Sequence, residues 1–348
     1  MVGAFSPAER DPRLTLRALA ERAPSSEDAD RYGERALAER LEARVAALLG
    51  KEAAVWMPSG TMAQQIALRI HCDRRANQRI AFHPQCHLDV HEERGYAHLH
   101  GLIADLLGSR ERLPTLHDLE AVREPLGAVV LELPARELGG QLPPWEELVA
   151  FCAKAREREI ALHMDGARLW QCAPFYGRGL DEIADLFDTV YVSFYKDLGA
   201  PAAATLAGTK AVIDEARVWQ VRHGGRLFTA YPFLIAAERG LDEVLPRMSE
   251  FVARAKELAA ALAELEGVEI VPNPPQTAMF HLLVRRKLEP LNKTALDIAH
   301  RTKTFIGQFA ATELPGVQTT ELTVGAPSLQ VAVDEARELY SELLTASV

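Results

Sequence analysis

Three sets of polar residues in this sequence stand directly after apolar runs. They are Lys196 after residues 189–195, Asp165 after 160–164, and Ser59-Gly60-Thr61 after 53–57. If the apolar runs are strands of an open α/β sheet, the polar residues meet at its carboxyl edge, where such sheets bind ligands. There a lysine can form a Schiff base, a carboxylate can hold a protonated ring nitrogen, and a helix N-terminus can bind phosphate.

Lys196 has the most informative position of the three. The apolar run before it, Thr189–Tyr195, should draw the side chain out of bulk water and favour the neutral amine. The alternative is an ordinary salt bridge with Asp197. Ser59-Gly60-Thr61 could likewise be only a turn and a helix cap. Taken together, however, the three sets supply what pyridoxal phosphate (PLP) requires of a protein.

Strands and helices in alternation must position these residues. The predicted strands are 53–57, 128–133, 160–164, 189–195 and 202–207, and the predicted helices are 34–49, 61–69 and 145–158. This alternation predicts an α/β structure around a mostly parallel sheet from about residue 50 to 235. A helix at 250–265, strands at 268–271 and 278–284, and a helix at 295–309 predict a small α+β domain after residue 240.

Composition excludes several classes of function. A chain of 348 residues suggests two domains, and 48% hydrophobic with 25% charged residues is typical of globular proteins. The net charge of −10 argues against nucleic acid as a partner. No apolar run reaches the length of a membrane span, so we expect a cytoplasmic protein without membrane contact. The four cysteines lack metal-binding spacing and are expected to be reduced.

Several motifs resemble one family of enzymes. His163-Met164-Asp165-Gly166-Ala167-Arg168 is similar to the His-x-Asp-Gly-Ala-Arg signature of the threonine aldolase and β-eliminating lyase family of PLP enzymes. Further segments follow in the family's order: Tyr32-Gly33, Leu49–Ala54, Pro58–Ala63 and Lys196–Pro201. The resemblance covers about residues 30–240.

The resemblance implies a fold and an assembly. The fold is the aspartate-aminotransferase-like fold (fold type I), with a mostly parallel seven-stranded sheet and a small C-terminal α+β domain. The expected divisions are an N-terminal segment 1–30, a large PLP-binding domain 31–240 and a small domain 241–348. The chain is expected to form a homodimer or homotetramer whose subunits share active sites.

The resemblance also assigns roles to individual residues. Lys196 would carry PLP as a Schiff base, Asp165 would face the ring nitrogen, and Arg168 would contact the cofactor and bind the substrate carboxylate. His87 would stack on the ring and act in catalysis. The remaining expected contacts are Ser59, Gly60, Thr61 and Ser193 with the cofactor, and Tyr32 and Glu92 with the substrate. Arg168 could instead merely pair with a Glu or Asp on the surface, and Arg226 could either reach a neighbouring subunit's phosphate or be a solvated loop residue.

The segment around His87 has a second interpretation. His83, His87 and His91 are spaced by four residues, and helical histidines at this spacing can bind zinc. A His-Glu-x-x-His pattern, which would strengthen this interpretation, is not present. The zinc site therefore stays a minor alternative, and no metal is expected.

The sequence departs from the family at the substrate end. The family's N-terminal Arg-Ser-Asp-Thr segment is replaced, with Ser6 as a loose substitute. Where relatives have Glu-Asn-Thr-His-Asn, this chain has Glu132 followed by Leu-Pro-Ala-Arg-Glu. Tyr195 and Asp197 replace the small residues beside the lysine, and a C-terminal arginine is missing.

These observations predict cleavage of a β-hydroxy-α-amino acid, such as threonine or allo-threonine, to glycine and an aldehyde. His87 or a bound water would accept the hydroxyl proton. The departures leave open a β-eliminating lyase acting on a β-substituted amino acid. A PLP-binding homologue without turnover is the third alternative.

Overall fold

The computed structural model describes residues 11–23, 29–32 and 36–347. The chain divides into two compact units. The larger comprises Ala18–Glu137 and Leu142–Leu245, and the smaller comprises Pro246–Val348, Leu138–Gln141 and the residues up to Arg17. The predicted division at residues 30 and 240 stays a prediction. Gly33 and Ser6, named above, lie outside the described residues.

The larger unit is built on a seven-stranded sheet. Its strands are β1 (Ala53–Met57), β2 (Arg79–Phe82), β3 (Ile103–Leu106), β4 (Ala128–Glu132), β5 (Ala161–Gly166), β6 (Thr189–Ser193) and β7 (Ala204–Gly208). Their order is β1-β7-β6-β5-β4-β2-β3. Strand β7 runs in the opposite direction to the other six strands of this sheet. The predicted mostly parallel α/β sheet is confirmed.

Helices cover this sheet. Helix α1 (Pro12–Arg22) contains residues of both units, and the helices of the larger unit are α2 (Ala36–Leu48), α3 (Gly60–Arg74), α4 (His87–Val90), α5 (Gly95–His100), α6 (Leu116–Ala121), α7 (Trp145–Glu157), α8 (Ala173–Tyr176), α9 (Leu180–Asp185), α10 (Lys210–Arg222) and α11 (Tyr231–Glu243). Every residue of β5 and β6 is buried, as expected for central strands covered on both faces.

One core cluster fixes the start of α3 beside the sheet. Ile66 and Ile70 of α3 pack with Val55 of β1 and Val212 of α10. Apolar burial of this kind contributes roughly 1.5–3 kcal/mol per large side chain. The N-terminus of α3 is therefore held at the carboxyl end of β1, where the sequence predicts a phosphate site.

The smaller unit contains a four-stranded antiparallel sheet. Its strands are β8 (Val268–Val271), β9 (Met279–Arg285), β10 (Ala310–Ala311) and β11 (Val317–Thr323), in the order β10-β11-β9-β8. Its helices are α12 (Met248–Ala263), α13 (Leu288–Thr302) and α14 (Val333–Ala346). Burial alternates along β9 and β11, so one face of this sheet packs on the core.

Some predicted elements differ from the structure. Helix α13 was predicted at 295–309 but spans Leu288–Thr302, because Pro290 fits the first helical turn and Lys303 takes a left-handed conformation (φ 59°) that ends the helix. The predicted strand 189–195 ends at Ser193, so Tyr195 and Lys196 lie in the loop that follows. Strands β2 and β3, of four residues each, are not among the strands predicted from the sequence.

Two further observations concern membrane-spanning helices and the cysteines. Within the described ranges, no helix is long and apolar enough to cross a membrane. All four cysteines are free and buried. The cytoplasmic location stays a prediction.

Candidate active site

Six of the predicted site residues line one cleft of the larger unit. They are Thr61, His87, Glu92, Asp165, Arg168 and Lys196. They come from the first turn of α3, the α4 region, the end of β5 and the loop after β6. The carboxyl edge of the sheet therefore gathers the residues that the sequence places after separate apolar runs.

Lys196 is held by the end of the strand before it. Its backbone N–H donates to Ser193 Oγ at 3.2 Å, and Ser193 is fully buried. The Ser193 carbonyl in turn accepts a hydrogen bond from the indole of Trp170 at 2.8 Å. Ser193 thus fixes the backbone of the lysine; its predicted contact with a cofactor stays a prediction. The lysine amine lies 5.5 Å from the centre of the Tyr195 ring.

Asp165 is a buried carboxyl group at the end of β5. It is 4% exposed, and the Ala167 N–H donates to its Oδ1 at 3.0 Å. Burial raises the pKa of Asp165 above its usual value. Glu132 is its register partner on β4, and removal from water together with the charge of Asp165 raises the pKa of Glu132. A cation placed here would relieve this cost, as a protonated ring nitrogen does.

His87 forms a pair with Glu92. Its Nδ1 lies 2.9 Å from Glu92 Oε1, and its backbone N–H donates to Glu132 Oε1 at 2.6 Å. Burial lowers the pKa of His87, but the Glu92 hydrogen bond and the charges of Asp165 and Glu92 outweigh burial and raise it overall. The imidazole therefore favours its protonated form and has a fixed orientation.

Glu92 itself lies behind this histidine. Its side chain is fully buried and also accepts hydrogen bonds from the amides of Gln64 and Gln65, both at 3.2 Å. These contacts orient His87. The predicted contact between Glu92 and a substrate stays a prediction.

The phosphate end of the cleft is formed by α3. Ser59 is the N-cap residue, and its Oγ accepts a hydrogen bond from Met62 N at 3.3 Å. The Gly60 N–H donates to the Tyr195 hydroxyl at 3.2 Å, and a Cβ on Gly60 would lie 2.0 Å from the Tyr191 hydroxyl. Only glycine fits there. The amides of a first helical turn and the helix dipole suit a phosphate dianion.

This donor set fits PLP. The chain places an amine, a buried carboxyl, an imidazole and a helix N-terminus around one cleft, which are the groups that aldehyde, ring nitrogen, ring face and phosphate require. Each of these four protein groups is held in place by a hydrogen bond or by its burial.

Arg168 lies at the wall of the cleft. It is 3% exposed, and its Nε is 3.9 Å from the carboxylate of Asp197, whose side chain is also buried. Arg168 therefore forms an internal ion pair rather than the surface pair that the sequence left open. A guanidinium in this position remains suited to grip a substrate carboxylate.

Tyr32 is placed on a different surface of the same chain. It is half exposed, its ring meets Phe228 edge-on at 5.4 Å between centres, and its carbonyl accepts a hydrogen bond from Arg226 Nε at 2.8 Å. The structure does not bring Tyr32 to the cleft of its own chain. Its predicted role stays a prediction.

The three histidines spaced by four have separate partners. His83 Nε2 contacts the carbonyls of Ser109 and Arg112, at 2.7 and 3.0 Å. His87 contacts Glu92, and His91 Nε2 lies 2.8 Å from Glu137 Oε1. Each ring is engaged by its own neighbours, because α4 is a single short turn rather than a long helix.

Sequence reasoning missed several residues that line the cleft. They are Gln64, Glu132, Tyr191, His91, Arg136 and Glu137. Glu132 could have been found, since it ends β4 as Asp165 ends β5. His91 could have been found by its spacing from His87. The positions of Arg136 and Glu137 depend on a 3-10 turn, Arg136–Leu138, which no simple pattern predicts.

Comparison with known proteins gives a consistent picture. The family model described as "Beta-eliminating lyase" matches residues 16–286. A low-specificity L-threonine aldolase of Arabidopsis thaliana is 29% identical over 267 residues, covering 73% of this chain and 74% of the relative.

Two solved structures match nearly the whole chain. A putative L-allo-threonine aldolase of Listeria monocytogenes has 37% identity and a TM-score of 0.93, covering 99% of this chain and 95% of that one. A putative aromatic amino acid β-eliminating lyase/threonine aldolase of Exiguobacterium has 36% identity and a TM-score of 0.93, covering 99% and 97%. These matches confirm the predicted fold-type-I architecture.

Proposed function

We propose that this chain, which belongs to the β-eliminating lyase family, is a PLP-dependent aldehyde-lyase that cleaves a β-hydroxy-α-amino acid to glycine and an aldehyde. Threonine and allo-threonine are the first substrates to test. The observation that carries the proposal is the convergence of Lys196, Asp165 and the His87–Glu92 pair on one cleft. The two similar solved structures, both described as threonine aldolases or lyase/threonine aldolases, support it.

Different side chains of this chain bind the cofactor and hold or transfer protons. When bound, PLP supplies a ring that accepts the electron pair released at the substrate Cα. Lys196 Nζ holds the cofactor and yields its place to the substrate amine. Asp165 holds a proton at the ring nitrogen, and Gly60 and Thr61 bind the phosphate. His87, fixed by Glu92, covers the ring.

Arg168 binds the substrate carboxylate. Its planar guanidinium can donate two parallel hydrogen bonds to two carboxylate oxygens, which orients the bonds at Cα. Asp197 at 3.9 Å restrains the guanidinium and competes for its charge. This competition is consistent with a substrate pocket that differs from those of relatives with a small residue at this position.

The second candidate is β-elimination from a β-substituted amino acid. It is favoured by the replacement of the family's histidine-containing loop with Pro134, Arg136 and Glu137, all of which line the cleft. In that reaction the freed Lys196 amine removes the α-proton and the β-substituent leaves. Pyruvate and ammonia would be the products.

The assembly and the cofactor of the purified protein belong to the same proposal. We expect PLP bound in a homodimer or homotetramer with shared sites. The exposed aromatic residues Tyr32, Phe228 and Tyr231, which are 50%, 60% and 42% exposed, are suited to burial between subunits. Light scattering of the purified protein tests the assembly, and a monomer with full activity would contradict the sharing of sites.

The experiment is product analysis with four substrates. Threonine, allo-threonine and phenylserine each yield glycine and an aldehyde if the proposal is right. β-Chloroalanine yields pyruvate and ammonia in an eliminating enzyme. Pyruvate with no aldehyde from any hydroxy amino acid would replace the proposal by the second candidate. If none of the four substrates gives a product, the third alternative, a PLP-binding protein without turnover, would replace the proposal.

A further inference from the structure

A second carboxylate–histidine pair stands in the same cleft as His87–Glu92. His91 follows α4, and Glu137 belongs to the 3-10 turn after β4. Both line the cleft that contains Lys196. The rings of His91 and His87 are 5.0 Å apart between centres, with 49° between their planes. His91 is thus a neighbour of the residue that covers the ring.

Two side chains contact His91 Nε2, and they also contact each other. Its Nε2 lies 2.8 Å from Glu137 Oε1 and 3.0 Å from the Arg136 guanidinium, which also donates to Glu137 Oε1 at 2.6 Å. The guanidinium can only donate, and the carboxylate can only accept. The one nitrogen therefore faces a donor and an acceptor at once.

These two neighbours accommodate two protonation states of the same ring. With a lone pair at Nε2, the ring accepts from Arg136; with a proton at Nε2, it donates to Glu137. In the second arrangement the ring's lone pair lies on Nδ1, which can take a proton from the substrate. His87 differs, because its partner Glu92 favours the protonated form and no cationic donor contacts its Nδ1 among the described hydrogen bonds. His91 is therefore better suited to take up and return a proton during turnover.

We propose that His91, positioned by Glu137 and Arg136, is the catalytic base that accepts the β-hydroxyl proton of the substrate. The inference rests on the proposed aldol cleavage. While Nε2–H donates to Glu137, the hydroxyl proton passes to Nδ1 of His91, and the O–H electron pair becomes the second bond of the aldehyde carbonyl. The Cα–Cβ bond breaks, and its electron pair stays at Cα, where the bound cofactor would delocalise it. A proton from solvent added at Cα gives glycine, and His91 releases its proton to solvent, so that the protons balance.

The proposal explains a departure of this sequence from its relatives. The loop after β4 lacks the family's histidine, and the residues there are Ala135, Arg136 and Glu137. A histidine on a different element, with partners from that loop, places a second imidazole in the cleft beside His87.

Two reactions distinguish the loss of a base for the β-hydroxyl from a general disturbance of the active site. Exchange of the glycine α-proton with D2O, followed by NMR, needs the cofactor, Lys196 and Asp165, but involves no β-hydroxyl. Release of aldehyde from threonine or phenylserine needs all of these and the hydroxyl base. In His91→Asn we expect aldehyde release to fall on the order of 10²–10⁴-fold, and glycine exchange to stay within about threefold.

Two further variants complete the test. Glu137→Gln should lower kcat for cleavage by roughly tenfold or more with little change in KM, since Glu137 acts through His91. His98→Asn, the same change at an exposed histidine of α5, should alter neither reaction. Retained cleavage in His91→Asn, or an equal loss of cleavage and exchange, would overturn the inference. No aldehyde from the unsubstituted protein would overturn the proposed function, and this inference with it.

Discussion

The backbone N–H of Gly60 donates a hydrogen bond to the hydroxyl of Tyr195 across 3.2 Å. The amide belongs to the first turn of α3, and the tyrosine stands directly before Lys196. The same tyrosine hydroxyl is 3.0 Å from that of Tyr191. The phosphate end of the cleft and the lysine are thus joined by one side chain.

Tyr195→Phe should weaken the binding of PLP but not of pyridoxal, which has no phosphate. The Tyr195 hydroxyl accepts from Gly60 N–H, so its own proton can be donated to a phosphate oxygen, and loss of such a hydrogen bond to a charged group corresponds to roughly a tenfold rise in the PLP dissociation constant. Fluorescence titration of the apoprotein with both compounds measures this difference. Tyr176→Phe is the matched control, because its hydroxyl donates to Pro143 O, away from α3. Equal weakening of both compounds would exclude a phosphate contact.

Asp165→Asn should separate stability from activity. Burial raises the pKa of Asp165, so the ionised carboxyl is costly in the absence of a cation, and the amide can still accept from Ala167 N. We expect the apoprotein to melt at the same or a higher temperature, while turnover falls on the order of 10²-fold or more. A strongly destabilised apoprotein would indicate that the carboxylate serves the fold.

Glu92→Gln should lower stability in a pH-dependent way. The pKa of His87 is higher in the folded chain than its ordinary value of 6.5, so protonation of His87 stabilises the fold. That contribution is full below about pH 6.5 and is lost as the pH rises through the folded value.

We expect a loss of about 1–2 kcal/mol at pH 6, from urea unfolding, and a smaller loss at pH 9. Glu93→Gln, an exposed neighbour, is the control. A loss that is the same at both pH values would contradict a role for the His87 proton.

Arg168→Lys should affect substrate binding more than the chemical step. An ammonium cannot replace the two parallel hydrogen bonds of a guanidinium, so we expect KM for the amino acid to rise roughly tenfold or more with a smaller change in kcat. Steady-state kinetics measure both constants. Arg178→Lys, at an exposed ion pair with Glu182, is the control. An unchanged KM would leave Arg168 as a partner of Asp197 alone.

The sequence predicts the parts of this site that follow from strand ends. Asp165 and Lys196 follow uninterrupted apolar runs, and a parallel sheet must bring such positions to one edge. The start of α3 is predicted by Ser59 and Gly60 for a local reason, the capping of a helix.

The substrate side could not be predicted in the same way. Arg136 and Glu137 reach the cleft through a 3-10 turn, and their contact with His91 joins segments 45 and 46 residues apart. Long-range side-chain contacts of this kind depend on the packed fold rather than on local pattern. Strand β3 was missed for a related reason, since it lies at the edge of the sheet and none of its four residues is buried.

The proposed function depends most directly on Lys196 as the residue that carries the cofactor. Reduction of the PLP-loaded protein with borohydride fixes the cofactor to its lysine, and peptide mapping by mass spectrometry then locates it. We predict a pyridoxyl group on the peptide that contains Lys196, and none in Lys196→Ala. A pyridoxyl group on any other lysine of the unsubstituted protein would contradict the site described here.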